Sequence, residues 1–124
     1  MGTRCNIKIT DGQDTLWFYR HYDGYPSSVM PDLNILMVRL RRGDLRDNVG
    51  QFSGHLILLG AEDFNRRVRT DYDSWKCGHY EPTTGEHGDI EWLYVFELHH
   101  QTCLGYHQFS DAIADVHDPL TWED

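Results

Sequence analysis

Apolar and polar residues alternate cleanly near the start of the chain. Cys5, Ile7 and Ile9 fall on one side of a strand over 5–10, and Asn6, Lys8 and Thr10 fall on the other. The turn formers Asp11-Gly12-Gln13-Asp14 follow, and a second strand over about 15–21 closes an antiparallel hairpin. That second strand is rich in aromatics, as a half-buried pleated surface favours. Trp17, Tyr19 and His21 share one side, and Leu16, Phe18 and Arg20 the other. Asp23-Gly24 then makes a turn, and Pro26 bars further ladder pairing.

After Pro26 the period changes from 2 to 3.6. Ser27 or Ser28 is placed to cap a helix, and Pro31 fits its first turn. Leu33, Leu36, Met37 and Leu40 recur at i, i+3, i+4 and i+7, one helical face. Arg39, Arg41 and Arg42 crowd the C-terminal end, where they complement the helix dipole, and Gly43 ends the element. A second helix is predicted over about 45–59, with Val49, Phe52, Leu56 and Leu59 as its stripe and Gly60 as its stop. A short third helix is predicted over 61–68. The stretch 70–78 is polar and irregular.

Strand periodicity then returns. Residues 80–84 read as an edge strand because of Pro82. A strand over 90–98 puts Trp92, Tyr94, Phe96 and Leu98 on one side and Glu91, Leu93, Val95 and Glu97 on the other. His99-His100-Gln101 turns the chain, and a strand over 102–109 returns. In the tail, Ser110 is placed to cap a helical turn bearing Ala112, Ile113 and Val116. The order β-β-α-α-(α)-β-β-β predicts an α+β fold over 1–124 as a single domain. Its sheet is expected to be mostly antiparallel, with two or three helices packed on one face.

Charge changes this picture more than size does. The net charge is −9 over 124 residues, and it is unevenly placed. Residues 1–70 hold ten Lys/Arg and eight Asp/Glu, a balance of +2. Residues 71–124 hold one Lys/Arg and twelve Asp/Glu, a balance of −11, with six of the eight histidines. Phosphates repel such a surface, so direct nucleic-acid binding is not expected, and a basic partner is. Plain solubility accounts for the same charge. The three cysteines, Cys5, Cys77 and Cys103, are odd in number and widely spaced, which fits reduced thiols in the cytoplasm. No run of membrane-spanning length occurs, and no signal-peptide segment precedes Cys5. The expectation is a soluble cytoplasmic protein.

Two groups of residues carry candidate chemistry. Arg4, Arg20, His21, Asp23, Tyr25, His87, Asp89 and Glu91 are the candidates for a ligand site. Tyr19, Tyr22, Tyr25, Trp17 and Trp92 are suited to stack on a base, and Arg4 or Arg20 to meet a phosphate. Turn formation and core packing explain many of the same residues. There is no GxSxG, HExxH, P-loop or GxGxxG, so no catalytic residue, metal or cofactor is assigned. The second group, Asp111, Asp115, Asp118, Trp122, Glu123 and Asp124, is the candidate partner-binding tail. Its carboxylates would enter a basic groove in place of phosphates. A strand edge near Tyr80 or Phe109 would allow a homodimer.

Four blocks are distinctive together: Gly2-Thr3-Arg4-Cys5-Asn6-Ile7, the block from Tyr19 to Pro26, Tyr80-Glu81-Pro82-Thr83-Thr84, and the block from His87 to Tyr94. They resemble a family of small bacteriophage and prophage proteins. The resemblance covers residues 2–26 and 80–96 and supplies no reaction. It implies a mobile-element origin, and by class an acidic, anti-CRISPR-like inhibitor of a host defence protein or complex with a basic groove.

Overall fold

The computed structural model describes residues 3–68, 80–108 and 111–123. Strand β1 (Cys5–Thr10) and strand β2 (Thr15–Arg20) form the expected hairpin, in the register Cys5 to Arg20 through Thr10 to Thr15. Helices α1 (Pro26–Arg41) and α2 (Val49–Val68) follow, then β3 (Glu81–Thr83), β4 (Trp92–Glu97), β5 (Thr102–His107) and β6 (Ala112–Asp115). A single 3-10 turn, Pro119–Trp122, closes the described chain. The strands lie in one six-stranded sheet in the order β3-β2-β1-β4-β5-β6.

The architecture is α+β, but the sheet is mixed. β1 and β4 run parallel, pairing Cys5 with Trp92 and Thr10 with Glu97, while every other neighbour is antiparallel. β3 takes the free edge of β2. The loop after it passes over β1, so β4 enters on the far side of β1 in the same direction. The predicted short helix over 61–68 is the continuation of α2. A glycine costs a helix only about 1 kcal/mol, and Gly60 is itself buried, so packing carries the helix through it. α2 starts at Val49, where Asn48 Oδ1 accepts from the backbone N–H of Gln51 at 2.9 Å, a side-chain cap. α1 starts two or three residues earlier than a cap at Ser27 or Ser28 would place it. Tyr25 is its cap residue, without a side-chain cap bond, and Pro26 opens the first turn. Pro31 therefore lies inside the helix. Gly43 ends α1 with φ +81°.

The tail departs furthest from expectation. Residues 112–115 form a strand, not a helical turn. Ala114 and Val116 are buried while Ile113 lies 53% exposed, a period of 2, and the open edge of β5 supplies the partner. Ser110, Phe109, Cys77, Asp124 and the stretch 70–78 lie outside the described residues.

One core fills the space between sheet and helices. Cys5, Ile7, Ile9, Phe18, Tyr94, Phe96, Leu98 and Cys103 face it from the sheet. α1 contributes Val29, Met30, Leu33, Leu36 and Met37, and α2 contributes Phe52 and Leu56. Phe52 and Phe96 meet with ring centroids 4.5 Å apart. Both edges of the sheet are blunted. Pro82 sits exposed in β3, and the Asp115 backbone of β6 is taken by Thr121 Oγ1 (2.8 Å) and Trp122 Nε1 (2.8 Å).

Candidate functional site

The four distinctive sequence blocks meet at one end of this sheet, where β1 and β4 begin and β2 ends. Gly24 N–H donates to Thr3 O at 2.8 Å, and the Tyr94 hydroxyl donates to Gly24 O at 2.7 Å. A Cβ on Gly24 would lie 2.9 Å from both Cys5 Cβ and Thr3 O, so only glycine fits this approach. Asp23 takes the left-handed conformation (φ 56°) and accepts from the Tyr25 hydroxyl at 3.1 Å. The Tyr19-to-Pro26 block is thus a turn moulded onto the first strand.

Neighbours in sequence separate here. Arg20 points into the helix side of the sheet and is 3% exposed. Its Nε donates to Tyr22 O at 2.9 Å, its guanidinium covers the Tyr80 ring at 4.9 Å, and Nη1 lies 3.9 Å from Asp32 Oδ2. The Tyr80 hydroxyl donates to Asp32 Oδ2 at 2.6 Å. Burial works against the Arg20 charge, but the fields of Tyr80, Cys5, Asp32 and Asp23 outweigh it and raise its pKa. Burial pushes Tyr80 well above the usual phenol range and the Cys5 thiol up to about 12. This is an interior ion and hydrogen-bond network, so Arg20 does not join a ligand site with His21.

The opposite face, which carries no helix among the described residues, holds a second cluster. Tyr19 OH and His21 Nδ1 are hydrogen-bonded at 2.7 Å. The Tyr19 ring stacks on His87, with centroids 4.3 Å apart and planes at 14°. His87 Nε2 lies 2.9 Å from Thr83 Oγ1, and His87 N–H donates to Asn6 Oδ1 at 2.6 Å. Arg4 reaches Asp89 at 2.8 Å. Partial burial, then the fields of Asp89 and Glu81, raise the Tyr19 pKa, with Arg4 opposing them.

Beside this cluster lies a groove of about 560 Å³. Its rim carries Glu86, His87, Asp89 and Glu91, and its wall includes Trp92 and Leu93. A smaller recess of about 380 Å³ shares Glu91 and Trp92 and adds Tyr25, His107 and Ile113. Of the expected ligand residues, His87, Asp89 and Glu91 therefore meet at the groove. Arg4 reaches it through Asp89, and His21 lies one contact away through Tyr19. Tyr25 serves the second recess, and Asp23 stays in its turn. Sequence reasoning missed Asn6, Thr83, Glu86 and Gln108; a polar side chain in a central strand was the available signal for Asn6. Among the described residues, no group of three or more His, Cys, Asp or Glu is placed to hold a metal ion.

The tail residues have structural work. Asp115 accepts from His117 N–H at 2.9 Å, and Asp118 accepts from Leu120 N–H at 3.3 Å. Trp122 is half-buried against the core, while Asp111 and Glu123 are exposed. Comparison with protein-family models, curated proteins and solved structures finds no match to this chain. No helix among the described residues is long and apolar enough to cross a membrane.

Proposed function

We propose that this is a binding protein whose acidic groove at the head of β4 receives a basic side chain of a protein partner. The observation that carries this reading is the groove itself. Three exposed carboxylates, Glu86, Asp89 and Glu91, line it together with the half-buried apolar Ile90, Trp92 and Leu93. Glu86 and Glu91 are exposed and make no ion pair with another described residue. An apolar wall under a carboxylate rim matches an arginine or lysine, whose stem is apolar and whose head is charged. A nucleotide phosphate would meet those carboxylates and be repelled. The long-range field of the −9 chain steers a basic surface toward the same rim.

On this reading the phage or prophage inhibitor of a host defence protein is one form of the same function, with the basic nucleic-acid groove of that host protein as the surface engaged. The groove is proposed as a contact beside the expected tail residues, of which Asp115 and Asp118 also accept tail N–H groups.

The test is a titration of the 15N-labelled protein with a short arginine-rich peptide. Shifts should concentrate at residues 86–93 and Gln108. E86Q/E91Q should weaken binding by roughly 2- to 30-fold, the worth of two exposed ion pairs. Shifts scattered over the surface, or unaltered affinity in the double variant, would refute the reading.

A further inference from the structure

The rim of the groove is a loop laid across the sheet face opposite the two helices, and its anchors are unequal. Arg4–Asp89 is solvent-exposed at both ends, 38% and 57%, and such pairs hold little. Asn6 is different. It is fully buried although it shares its side of β1 with Lys8 and Thr10, which are half-exposed. Its amide is used at both ends: Nδ2 donates to Phe18 O at 2.9 Å, and Oδ1 accepts from His87 N–H at 2.6 Å. A buried amide is costly unless both ends are satisfied. Here one planar group ties the hairpin on one side and the loop on the other. The same anchor sets the His87 ring on Tyr19 and within reach of Thr83.

We infer that Asn6 is the positioning residue of the groove: its amide, rather than the Arg4–Asp89 pair, fixes the 86–91 rim and so the spacing of Glu86, Asp89 and Glu91. The consequence for binding rests on the groove being the binding site, but the placement of the rim is measurable without any ligand.

The experiment is residue-resolved amide exchange, corrected for intrinsic rates, on the wild type and on Asn6→Ala, Asn6→Asp and Arg4→Gln. Asn6→Ala should speed exchange at His87 roughly 2- to 13-fold (the worth of one lost hydrogen bond), with much smaller changes in β4, β5 and α1. Arg4→Gln should change it less. Asn6→Asp is the conservative comparison: its carboxylate still accepts from His87 N–H but offers no donor to Phe18 O, so exchange at His87 should rise less than in Asn6→Ala. Unchanged exchange at His87 in Asn6→Ala, an even acceleration throughout the protein, or an equal acceleration at His87 in Arg4→Gln would each overturn the assignment. If the rim loosens as expected while the arginine peptide leaves the wild-type groove unshifted, the binding reading falls and the role of Asn6 stands.

Discussion

Replacing Gly24 with alanine tests the joint on which the candidate site is built. The added methyl would sit 2.9 Å from Cys5 Cβ, 2.9 Å from Thr3 O and 3.0 Å from Cys5 N. Two of those three atoms are backbone, so no side chain can swing aside. The turn and β1 must separate, which puts Gly24 N–H to Thr3 O and Tyr94 OH to Gly24 O at risk. Overpacking costs about 1–3 kcal/mol, and each hydrogen bond about 0.5–1.5 kcal/mol. The stiffer unfolded chain returns about 0.4–1 kcal/mol. The net expectation is a loss of about 1–5.6 kcal/mol, or roughly 4–22 °C in Tm at about 4 °C per kcal/mol. Gly88→Ala is the matched control, because a Cβ there meets nothing within 4 Å. Thermal and urea melts of both variants decide the matter. A Gly24→Ala protein within 0.5 kcal/mol of wild type would show that the close approach does not constrain the turn.

Two further outcomes follow from the buried groups. Asp32→Ala removes a carboxylate partner of the buried Arg20 and the acceptor of the Tyr80 hydroxyl; it should cost about 2–4 kcal/mol in urea melts, and a cost under 1 kcal/mol would refute the network's role. Alkali should destabilise the fold through Cys5. Burial raises its pKa from 9.0 to about 12, so its contribution is complete below 9.0 and is lost between 9.0 and about 12, where the unfolded thiol ionises and the folded one does not. The slope is about 1.4 kcal/mol per pH unit, and Cys5→Ala should flatten a stability profile measured from pH 8 to 11 by that amount.

The turn and the core-facing sides of the strands were legible because their residues follow local rules. Asp23-Gly24 before Pro26 marked the turn, and the alternation of β1 and β4 marked which sides face the core. Strand alternation separates Arg20 from His21, although their place at one strand end puts both among the candidate ligand residues. Periodicity says which side a residue takes, but it is silent on which strands become neighbours. The parallel pairing of β1 with β4 was therefore invisible, and with it the meeting of Asn6 with His87. The tail departs from its periodicity for a different reason. Ala112, Ile113 and Val116 fit a helical turn, and only the open edge of β5 decides for a strand. Gly60 reads as a stop, but the packing of α2 outweighs its small propensity cost.

The place of β1 at the centre of the sheet has a kinetic consequence. It leaves the ribosome before the other described strands, and one of its two ladders is supplied by β4, 87 residues later (Cys5 with Trp92). Until β4 emerges, the nascent hairpin offers an unsatisfied strand edge with Cys5, Ile7 and Ile9 beside it. Contacts so distant along the chain slow the search for the native state. Closure of the sheet is then the late step of folding, and the interval before it is when a chaperone, or a second nascent copy, has access to that edge.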